Sequence, residues 1–212
     1  MLTALIDYDS GNLHSAQKAF ERMAVDFSNE EIIVTKDPDV LRKADRIVLP
    51  GDGAFPACKT ALTDKVGLFE ALLEAVEGQG KPFLGICVGM QMMASFGYEY
   101  GTTPGLDWVA GNIRPIQPEN PKFKVPHMGW NDLVITSNHP VLAGLKTGDH
   151  AYFVHSYQFE VEQPAERLAH VDYAGEITAI VSSGTRIGTQ FHPEKSQRTG
   201  LRLISNFLNW RP

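Results

Sequence analysis

The sequence predicts a flavodoxin-like α/β fold: a mostly parallel central sheet with helices on both faces and an added antiparallel β portion in the C-terminal half. Two observations indicate this class. Up to about residue 100, short apolar runs alternate with segments whose apolar residues recur at helical spacing. Beyond about residue 105, strand-like runs follow one another with turns between them. Because no repeat, low-complexity tract or long linker interrupts the chain, we expect residues 1–212 to form one domain.

The predicted elements of the N-terminal half alternate in type. Strands are expected where apolar runs end in turn residues, at Leu2–Tyr8, Ile32–Thr35, Arg46–Leu49 and Phe83–Ile86. Helices are expected where apolar residues share one face, at Leu13–Met23, Asp39–Lys43 and Leu68–Glu77.

The C-terminal half is predicted to consist of short strands and one closing helix. The strands are expected at Val109–Ile116, Val125–Met128, Asp132–Ile135, Tyr152–His155, Gln158–Val161, Arg167–Asp172, Thr178–Ser182 and Arg186–Gln190. The helix is expected at Gly200–Trp210, where Leu201, Ile204 and Leu208 are apolar. Some of these strands should extend the sheet in antiparallel orientation.

Composition excludes several classes of function. The formal net charge is −6 and there is no basic stripe, which argues against a nucleic-acid partner. No apolar run approaches the ~18 residues of a membrane span, and Met1–Tyr8 is too short for a signal peptide. Two cysteines, Cys58 and Cys87, make no disulfide framework, although they leave a single bridge open. We expect a cytoplasmic protein without a membrane partner.

Cys87 is the first candidate catalytic residue. It lies between Gly85 and Gly89, directly after the apolar run Pro82–Ile86 and directly before the helix-like run Val88–Ala94. A strand, a sharp turn carrying the reactive atom and then a helix make a nucleophile elbow. The glycines suit a strained and crowded turn, and the following helix would favour a thiolate at its N-terminus.

His192 and Glu194 are the candidate base and orienting carboxylate. A thiol needs a base to become a thiolate, and the base needs a group that fixes its orientation. The run Arg186–Phe191 is apolar enough for a buried strand that Pro193 ends. His192 would then lie at the carboxyl end of a strand, where open α/β sheets place their sites.

Pro50–Gly53 is the candidate oxyanion-binding segment. Acyl transfer needs backbone N–H donors aimed at the developing oxyanion. We expect one donor at Val88, after the nucleophile, and a second near Gly53, where glycine lets a peptide turn inward. The segment lacks the Lys-Ser/Thr pair of a phosphate loop, and the histidines lack metal-ligand spacing. No metal or cofactor is expected.

The motifs Gly85–Gln91 and Gln190–Lys195, taken together, resemble those of the class I, triad-type glutamine amidotransferases. Within that family, four further segments resemble the glutaminase subunits of imidazole glycerol phosphate synthases. They are Asp7–Ser15, Pro50–Gly53, Pro126–Asn131 and Tyr152–Tyr157. The resemblance covers essentially the whole chain, and Pro126–Asn131 is its most discriminating segment.

The resemblance implies hydrolysis of L-glutamine to glutamate and ammonia through a Cys87 thioester. The ammonia would pass to a (β/α)8-barrel cyclase in a heterodimer. The cyclase would incorporate it while cleaving a phosphoribulosyl-formimino substrate, a step of histidine biosynthesis that also feeds purine synthesis. The matching positions assign Gln91, Glu99, Ser156 and Tyr157 to substrate binding, with Glu99 on the glutamine ammonium and Ser156–Tyr157 on its carboxylate.

The resemblance also implies a cyclase-facing surface and one departure from the family pattern. The matching surface positions are Asn12, His127, Met128, Trp130, Asn131 and Tyr152. Trp130 is the candidate anchor, since tryptophan is enriched at such positions. The departure is Asp52, where a small apolar residue is usual. A carboxylate facing an oxyanion would oppose it, so we expect Asp52 to point outward.

Three alternative functions use the same residues in different ways. The chain could be the glutaminase subunit of an anthranilate or aminodeoxychorismate synthase, which Pro126–Asn131 argues against. It could be a stand-alone cysteine hydrolase such as a peptidase, or a partner-binding module without activity. The complete set of Cys87, His192 and Glu194 argues against the last of these.

Overall fold

The structure, a computed structural model, describes residues 1–26 and 30–212. In chain order its strands are β1 (Leu2–Ile6), β2 (Glu31–Thr35), β3 (Arg46–Gly51), β4 (Phe83–Cys87), β5 (Phe96–Gly97), β6 (Thr103–Pro104), β7 (Gly111–Pro115), β8 (His127–Asp132), β9 (Val134–Ile135), β10 (His150–His155), β11 (Tyr157–Val161), β12 (Arg167–Asp172), β13 (Glu176–Ser183) and β14 (Arg186–Thr189). Its α-helices are α1 (Leu13–Ala24), α2 (Pro38–Lys43), α3 (Phe55–Thr63), α4 (Leu68–Leu73), α5 (Val88–Gln91) and α6 (Gln197–Asn209).

The described residues form one large sheet and two small ones. The large sheet has eight strands in the order β2-β1-β3-β4-β14-β13-β12-β9. From β2 to β14 neighbouring strands are parallel, and β13, β12 and β9 continue the sheet in antiparallel pairs. β8 pairs with β10, and β11, β7, β5 and β6 form the third sheet. The predicted α/β class with a mostly parallel sheet is confirmed.

Helices cover both faces of the large sheet. The connection from β1 to β2 runs toward one edge, whereas those from β2 to β3 and from β3 to β4 run toward the other. Because parallel crossovers are right-handed, α1 lies on one face, and α2, α3 and α4 lie on the opposite face. α6 packs against α1, where Phe207 meets Phe20 edge to face at 6.4 Å. This arrangement leaves the carboxyl ends of the parallel strands open as a common edge.

Several predicted element bounds were wrong. The helix α3 was not predicted, although Phe55, Cys58 and Leu62 are its buried residues at helical spacing. The predicted helix Leu68–Glu77 is α4 followed by a π-helical turn, Glu74–Gly78. The strand predicted at Val125–Met128 begins instead at His127, because Pro126 lacks the N–H that a strand pairing requires.

The described residues contain no helix that combines the length and the apolar character needed to cross a bilayer.

Candidate active site

Four neighbouring strands bring the predicted site residues to one edge of the sheet. β1, β3, β4 and β14 are adjacent in the large sheet and run in parallel. Their carboxyl ends lead into Asp7–Asn12, Asp52–Gly53, Cys87 and His192 respectively. The strand order reverses between β1 and β3, and open α/β sheets bind their ligands beside such a reversal.

Cys87 occupies a strained elbow between β4 and α5. Its backbone has φ 55° and ψ −111°, a conformation that L-residues rarely adopt and that costs of order 1–3 kcal/mol. A Cβ on Gly85 would lie 2.5 Å from the carbonyl oxygen of Gly89, and a Cβ on Gly89 would lie 1.8 Å from that of Leu49. Both positions therefore require glycine, as the sequence predicts.

The helix after Cys87 is shorter than predicted. α5 spans four residues, Val88–Gln91, and the chain then turns instead of continuing to Ala94. A helix this short has a smaller macrodipole than the predicted one, and stabilisation of a Cys87 thiolate at its N-terminus stays a prediction.

His192 and Glu194 form a buried pair. His192 Nδ1 lies 2.8 Å from Glu194 Oε1, and the two side chains are 5% and 2% exposed. The 3-10 turn Pro193–Lys195 folds the carboxylate back onto the ring. The backbone N–H of His192 donates to the carbonyl of Tyr152, and Ser196 Oγ donates to the carbonyl of His192. The ring is therefore fixed on both sides.

The surroundings of His192 favour its charged form. Burial alone would lower its pKa, but hydrogen bonds and charge interactions with Cys87 and Glu194 outweigh that effect and raise the pKa to about 10. Because Glu194 takes Nδ1, the ring offers Nε2 to the sulfur. Cys87, His192 and Glu194 thus make the arrangement of a nucleophile, a base and an orienting carboxylate.

Cys87 has a second neighbour that the sequence did not assign. Gln190 Nε2 approaches the sulfur at 3.7 Å, and Gln190 Oε1 accepts from Gln91 Nε2 at 3.0 Å. Gln190 is fully buried and directly follows the last residue of β14. It lies two residues before His192, and this position in the quoted motif was the available signal.

Ser10 forms hydrogen bonds with the backbone of the candidate oxyanion segment. Ser10 Oγ donates to the carbonyl of Asp52 at 2.7 Å and lies 3.3 Å from the backbone nitrogen of the same residue. In a trans peptide the C=O and the following N–H point in opposite directions. The N–H of Gly53 therefore points away from Ser10. Asp52 is an exposed residue, and the outward direction of its carboxylate stays a prediction.

A cavity of about 240 Å³ connects the predicted substrate residues. This volume is below the roughly 300–1,000 Å³ that is typical of drug-sized ligands, so it suits a small molecule such as an amino acid. Its lining consists of Asp52, Gly53, Cys87, Val88, Gln91, Glu99, Pro126, Val154, His155, Ser156 and Tyr157. The structure thus brings together the nucleophile, both oxyanion candidates and all four substrate candidates, while His192 and Glu194 are buried outside this lining.

Two substrate candidates already have partners. Glu99 Oε2 accepts from the backbone N–H of Phe55 at 2.7 Å, at the start of α3. Gln91 Nε2 lies 3.4 Å from the carbonyl of Tyr157, besides its bond to Gln190. These contacts fix both side chains in the cavity wall.

Comparison with known proteins identifies the family. The family model "Glutamine amidotransferase class-I" matches residues 4–210. The chain belongs to the class I glutamine amidotransferase family. Curated relatives named "Imidazole glycerol phosphate synthase subunit HisH" match over their full length and that of this chain. They include the proteins of Ruegeria pomeroyi (63% identical) and Cereibacter sphaeroides (62%).

Solved structures agree with this amidotransferase fold. A structure described as a glutamine amidotransferase aligns with a TM-score of 0.73 at 19% identity, covering 97% of each chain. A glutamine amidotransferase of Thermotoga maritima aligns with a TM-score of 0.62, also at 19% identity, over 99% of this chain and 83% of its own. These structures show the fold alone. The family match over residues 4–210 and the curated relatives make the chain an enzyme of the class I amidotransferases with the family's Cys-His-Glu triad.

The predicted partner-facing residues of this amidotransferase divide into two groups. Met128 and Trp130 are exposed on one face of β8, at 62% and 50%, and Trp130 meets Tyr152 edge to face at 5.8 Å. His127 is only 2% exposed, so the prediction that its side chain faces a partner was wrong. It lies behind that surface because strand residues alternate between faces.

Asn12 and Asn131 have contacts within the chain. Asn12 Oδ1 accepts from the backbone N–H of Ser15 and so caps α1. Asn131 Nδ2 lies 3.3 Å from His127 Nε2 and 3.4 Å from the carbonyl of Asp172. Both residues are partly exposed, so a contact with a partner stays a prediction for them.

Both cysteines of the amidotransferase are free, so the bridge that the sequence left open is absent between these two described residues. In the described part of the chain, no group of three or more His, Cys, Asp or Glu side chains is arranged to hold a metal ion.

Proposed function

We propose that the chain hydrolyses L-glutamine to glutamate and ammonia as the glutaminase subunit of an imidazole glycerol phosphate synthase, in the cytoplasm. The observation that carries this proposal is an elbow cysteine beside a buried imidazole–carboxylate pair, opening into a cavity of amino-acid size. Full-length identity of 63% to a HisH subunit supports the choice of synthase over the anthranilate and aminodeoxychorismate types.

The first half-reaction forms a thioester. The Cys87 thiolate attacks the side-chain amide carbon of glutamine, and the negative charge moves to the amide oxygen. His192 holds, on Nε2, the proton that came from the thiol. It donates this proton to the amide nitrogen as the carbon–nitrogen bond breaks. Ammonia leaves and γ-glutamyl-Cys87 remains. The raised pKa of His192 suits a group that holds this proton until the nitrogen needs it.

The second half-reaction returns the enzyme to its starting state. His192, now neutral, takes a proton from a water molecule that attacks the thioester carbon. The carbon–sulfur bond breaks, the thiolate reforms, and glutamate leaves. Glu194 stabilises the imidazolium in both half-reactions and fixes the ring through Nδ1.

Substrate binding divides between the two ends of glutamine. Glu99 provides the carboxylate for the glutamine ammonium, and the Ser156–Tyr157 backbone holds the glutamine carboxylate. Gln91 lies between this backbone and Gln190, which approaches the nucleophile. This arrangement positions the side-chain amide of glutamine over Cys87.

The oxyanion hole is proposed to depend on the partner. The N–H groups of Val88 and Gly53 are its two donors, and the Asp52 carbonyl is bound by Ser10 on the far side of the Asp52–Gly53 peptide. Rotation of this peptide would change the direction of the Gly53 N–H. Coupling the rotation to a (β/α)8-barrel cyclase with bound substrate would prevent ammonia from being wasted.

The cyclase contact is proposed at Met128, Trp130 and Tyr152. Exposed Met128 and Trp130 project from the same face of β8, which is the pattern of an interface anchor. The carbonyl of Tyr152 accepts a hydrogen bond from the N–H of His192, and the N–H of Tyr152 donates to the hydroxyl of Ser196. A partner that contacts Tyr152 would therefore touch a residue that is hydrogen-bonded to the catalytic His192.

Cys87→Ala tests the catalytic role in the reconstituted complex. Synthesis from glutamine should fall by at least about a thousandfold, because the nucleophile is lost, whereas synthesis from ammonium chloride should remain. Cys58→Ser, which removes the other thiol but keeps a donor toward the Asp52 carbonyl, is the matched control and should keep both activities. Loss of both activities in Cys87→Ala, or survival of both, would contradict the proposal.

The wild-type chain alone should hydrolyse glutamine more slowly than the substrate-loaded complex, and equal rates would contradict the coupling.

Trp130→Ala tests the partner surface. Loss of a central aromatic anchor typically weakens an interface by about 2–4 kcal/mol, or roughly 30- to 1,000-fold in Kd. Calorimetric titration with the cyclase measures the effect. Val66→Ala, at a residue that is 96% exposed in another part of the chain, is the control. Wild-type affinity and wild-type glutamine-dependent turnover in Trp130→Ala would exclude this surface.

A further inference from the structure

Two buried histidines that the reaction does not use form a hydrogen-bonded pair. His127 on β8 and His155 on β10 lie directly opposite each other in the antiparallel register of these strands. Nδ1 of His127 lies 2.9 Å from Nε2 of His155. The pair continues at both ends. Nδ2 of Asn131 approaches Nε2 of His127 at 3.3 Å, and Nδ1 of His155 lies 2.8 Å from the carbonyl of Tyr157.

The direction of every bond in this row follows from its last member. The carbonyl of Tyr157 can only accept, so His155 carries its hydrogen on Nδ1. When His155 is neutral, its Nε2 has no hydrogen and accepts from Nδ1 of His127. The neutral His127 ring then accepts at Nε2 from the amide of Asn131. The row is therefore a one-way series of donors from Asn131 to Tyr157.

The surroundings of both rings favour the neutral form. His127 and His155 are 2% and 6% exposed, and burial lowers their pKa values to about 4 and about 3. The ring of His127 stacks between those of Phe153 and Tyr173, at centroid distances of 4.9 and 4.0 Å. Stacking of this kind holds the ring plane, so the donor direction is fixed by packing as well as by hydrogen bonding.

The row ends at the cavity wall. The Tyr157 carbonyl that receives His155 Nδ1–H also lies 3.4 Å from Gln91 Nε2. The neighbouring Ser156 carbonyl accepts from the backbone N–H of Ile116. Since the C=O and the N–H of one trans peptide point in opposite directions, the N–H of Tyr157 points away from Ile116. Two successive peptides of the Ser156–Tyr157 segment are thus oriented by fixed donors.

We propose that His127 and His155 are positioning residues that orient the Ser156–Tyr157 backbone for the carboxylate of glutamine. This rests on the proposed function, since it adds a support to the same substrate site. Neither ring touches the reacting atoms. His155 acts through the Tyr157 carbonyl that it holds, and His127 acts through His155. Loss of either residue therefore weakens substrate binding and leaves the chemical step to Cys87 and His192.

The test compares two replacements of His155 in the complex with the cyclase. His155→Phe keeps a buried ring but removes the donor, whereas His155→Asn places its Nδ2–H near the position of the lost Nδ1–H. We expect the KM for glutamine to rise roughly tenfold in His155→Phe, with kcat within about threefold, and to recover most of the way in His155→Asn. An unchanged KM in His155→Phe, a fall in kcat alone, or equal defects in both variants would overturn the proposal.

Labelling of Cys87 separates positioning from a general loss of structure. A diazoketone analogue of glutamine carries the amino-acid end, whereas iodoacetamide lacks it. In His155→Phe, saturation with the analogue should need roughly ten times more reagent, and the iodoacetamide rate should stay unchanged. Equal slowing with both reagents would overturn the positioning role. A wild-type complex that hydrolyses no glutamine would instead contradict the proposed function itself.

Nitrogen-15 spectra of the wild-type protein test the donor direction without any substitution. Both His127 and His155 should appear as neutral rings with the hydrogen on Nδ1, since the Tyr157 carbonyl fixes this tautomer in both. A hydrogen on Nε2 of either ring, or a charged ring at pH 7, would overturn the one-way row and the proposal with it.

Discussion

The catalytic histidine and the histidine pair beside it show opposite responses to the same degree of burial. His192 is 4% exposed, and His127 and His155 are 2% and 6% exposed. Yet the pKa of His192 is raised to about 10, whereas those of His127 and His155 are lowered to about 4 and about 3. Burial by itself favours a neutral imidazole, and a buried charge persists only where an opposite charge faces it.

The difference lies in what each ring faces. His192 faces the Glu194 carboxylate at 2.8 Å and the Cys87 sulfur. His155 faces a carbonyl and another neutral ring, and the charge at His192 further lowers its pKa. The protein thus uses one residue type as a proton carrier and, beside it, as a fixed donor. Because the pKa values of His127 and His155 are far below that of His192, the two neutral rings do not compete with it for the proton.

The largest effect on this comparison should come from Glu194→Gln. Without the carboxylate, His192 resembles the neutral pair more closely and its pKa should fall. Turnover of glutamine should drop by roughly 10²- to 10⁴-fold, because orientation and charge stabilisation of the base are lost together. Steady-state kcat of the complex and a nitrogen-15 titration of His192 measure the two effects.

The matched control for this variant is Glu160→Gln, which removes an exposed carboxylate next to Arg114 and should leave kcat unchanged. If Glu194→Gln keeps kcat within about threefold of wild type, the contrast between a charged and a neutral imidazole has no catalytic meaning.

The charged half of the comparison could be predicted from local sequence, whereas the neutral half could not. Cys87 lies between two glycines after an apolar run, and His192 and Glu194 are two residues apart, so adjacent residues define each part. His127 and His155 meet only because β8 and β10 pair in one register. Side-chain alternation indicates a strand but does not indicate its partner, and β8 was also predicted with the wrong bounds.

The same limit explains two further errors. The helix after Cys87 was predicted too long, because apolar residues continue to Ala94 although the chain turns after Gln91. The carbonyls of Met92 and Met93 accept from the backbone of Leu106 and Trp108, and periodicity does not record such distant partners. His127 was assigned to the surface from its motif, whereas strand alternation places it opposite the exposed face of Met128 and Trp130.

A medium effect should appear in the acid stability of the protein. The folded pKa values of His127 and His155 lie below the ordinary value near 6.5. Below pH 6.5 the unfolded chain therefore binds protons that the folded chain does not, and stability falls with pH until the folded pKa values are reached. For two histidines, the loss between pH 6 and pH 5 is about 2 kcal/mol.

Urea unfolding at both pH values measures this loss, and the His127→Phe/His155→Phe double variant is its reference because it lacks both titrating groups. The wild type should lose about 2 kcal/mol more than the double variant over this interval. Parallel losses in the two proteins would show that the pair is not held neutral by the fold.

The smallest effect should come from the ring that connects the two regions. Phe153 is fully buried. Its ring centroid lies 4.9 Å from that of His127, 5.8 Å from that of His155 and 5.7 Å from that of Phe191, which directly precedes His192. Phe153→Leu removes these ring contacts and should lower stability by about 1 kcal/mol. It should also let the pKa values of His127 and His155 rise toward the ordinary value, because desolvation is the main cause of their depression.

Phe207→Leu provides the control for this substitution, since Phe207 is equally buried but packs on Phe20 between α1 and α6. It should lower stability by a similar amount and leave the pKa values of His127, His155 and His192 unchanged. The pKa of His192 should stay near 10 in both variants, because Cys87 and Glu194 hold it there and neither is touched. A shift of His192 in Phe153→Leu that equals the shift of His155 would mean that the two regions share one environment, and the comparison between them would fail.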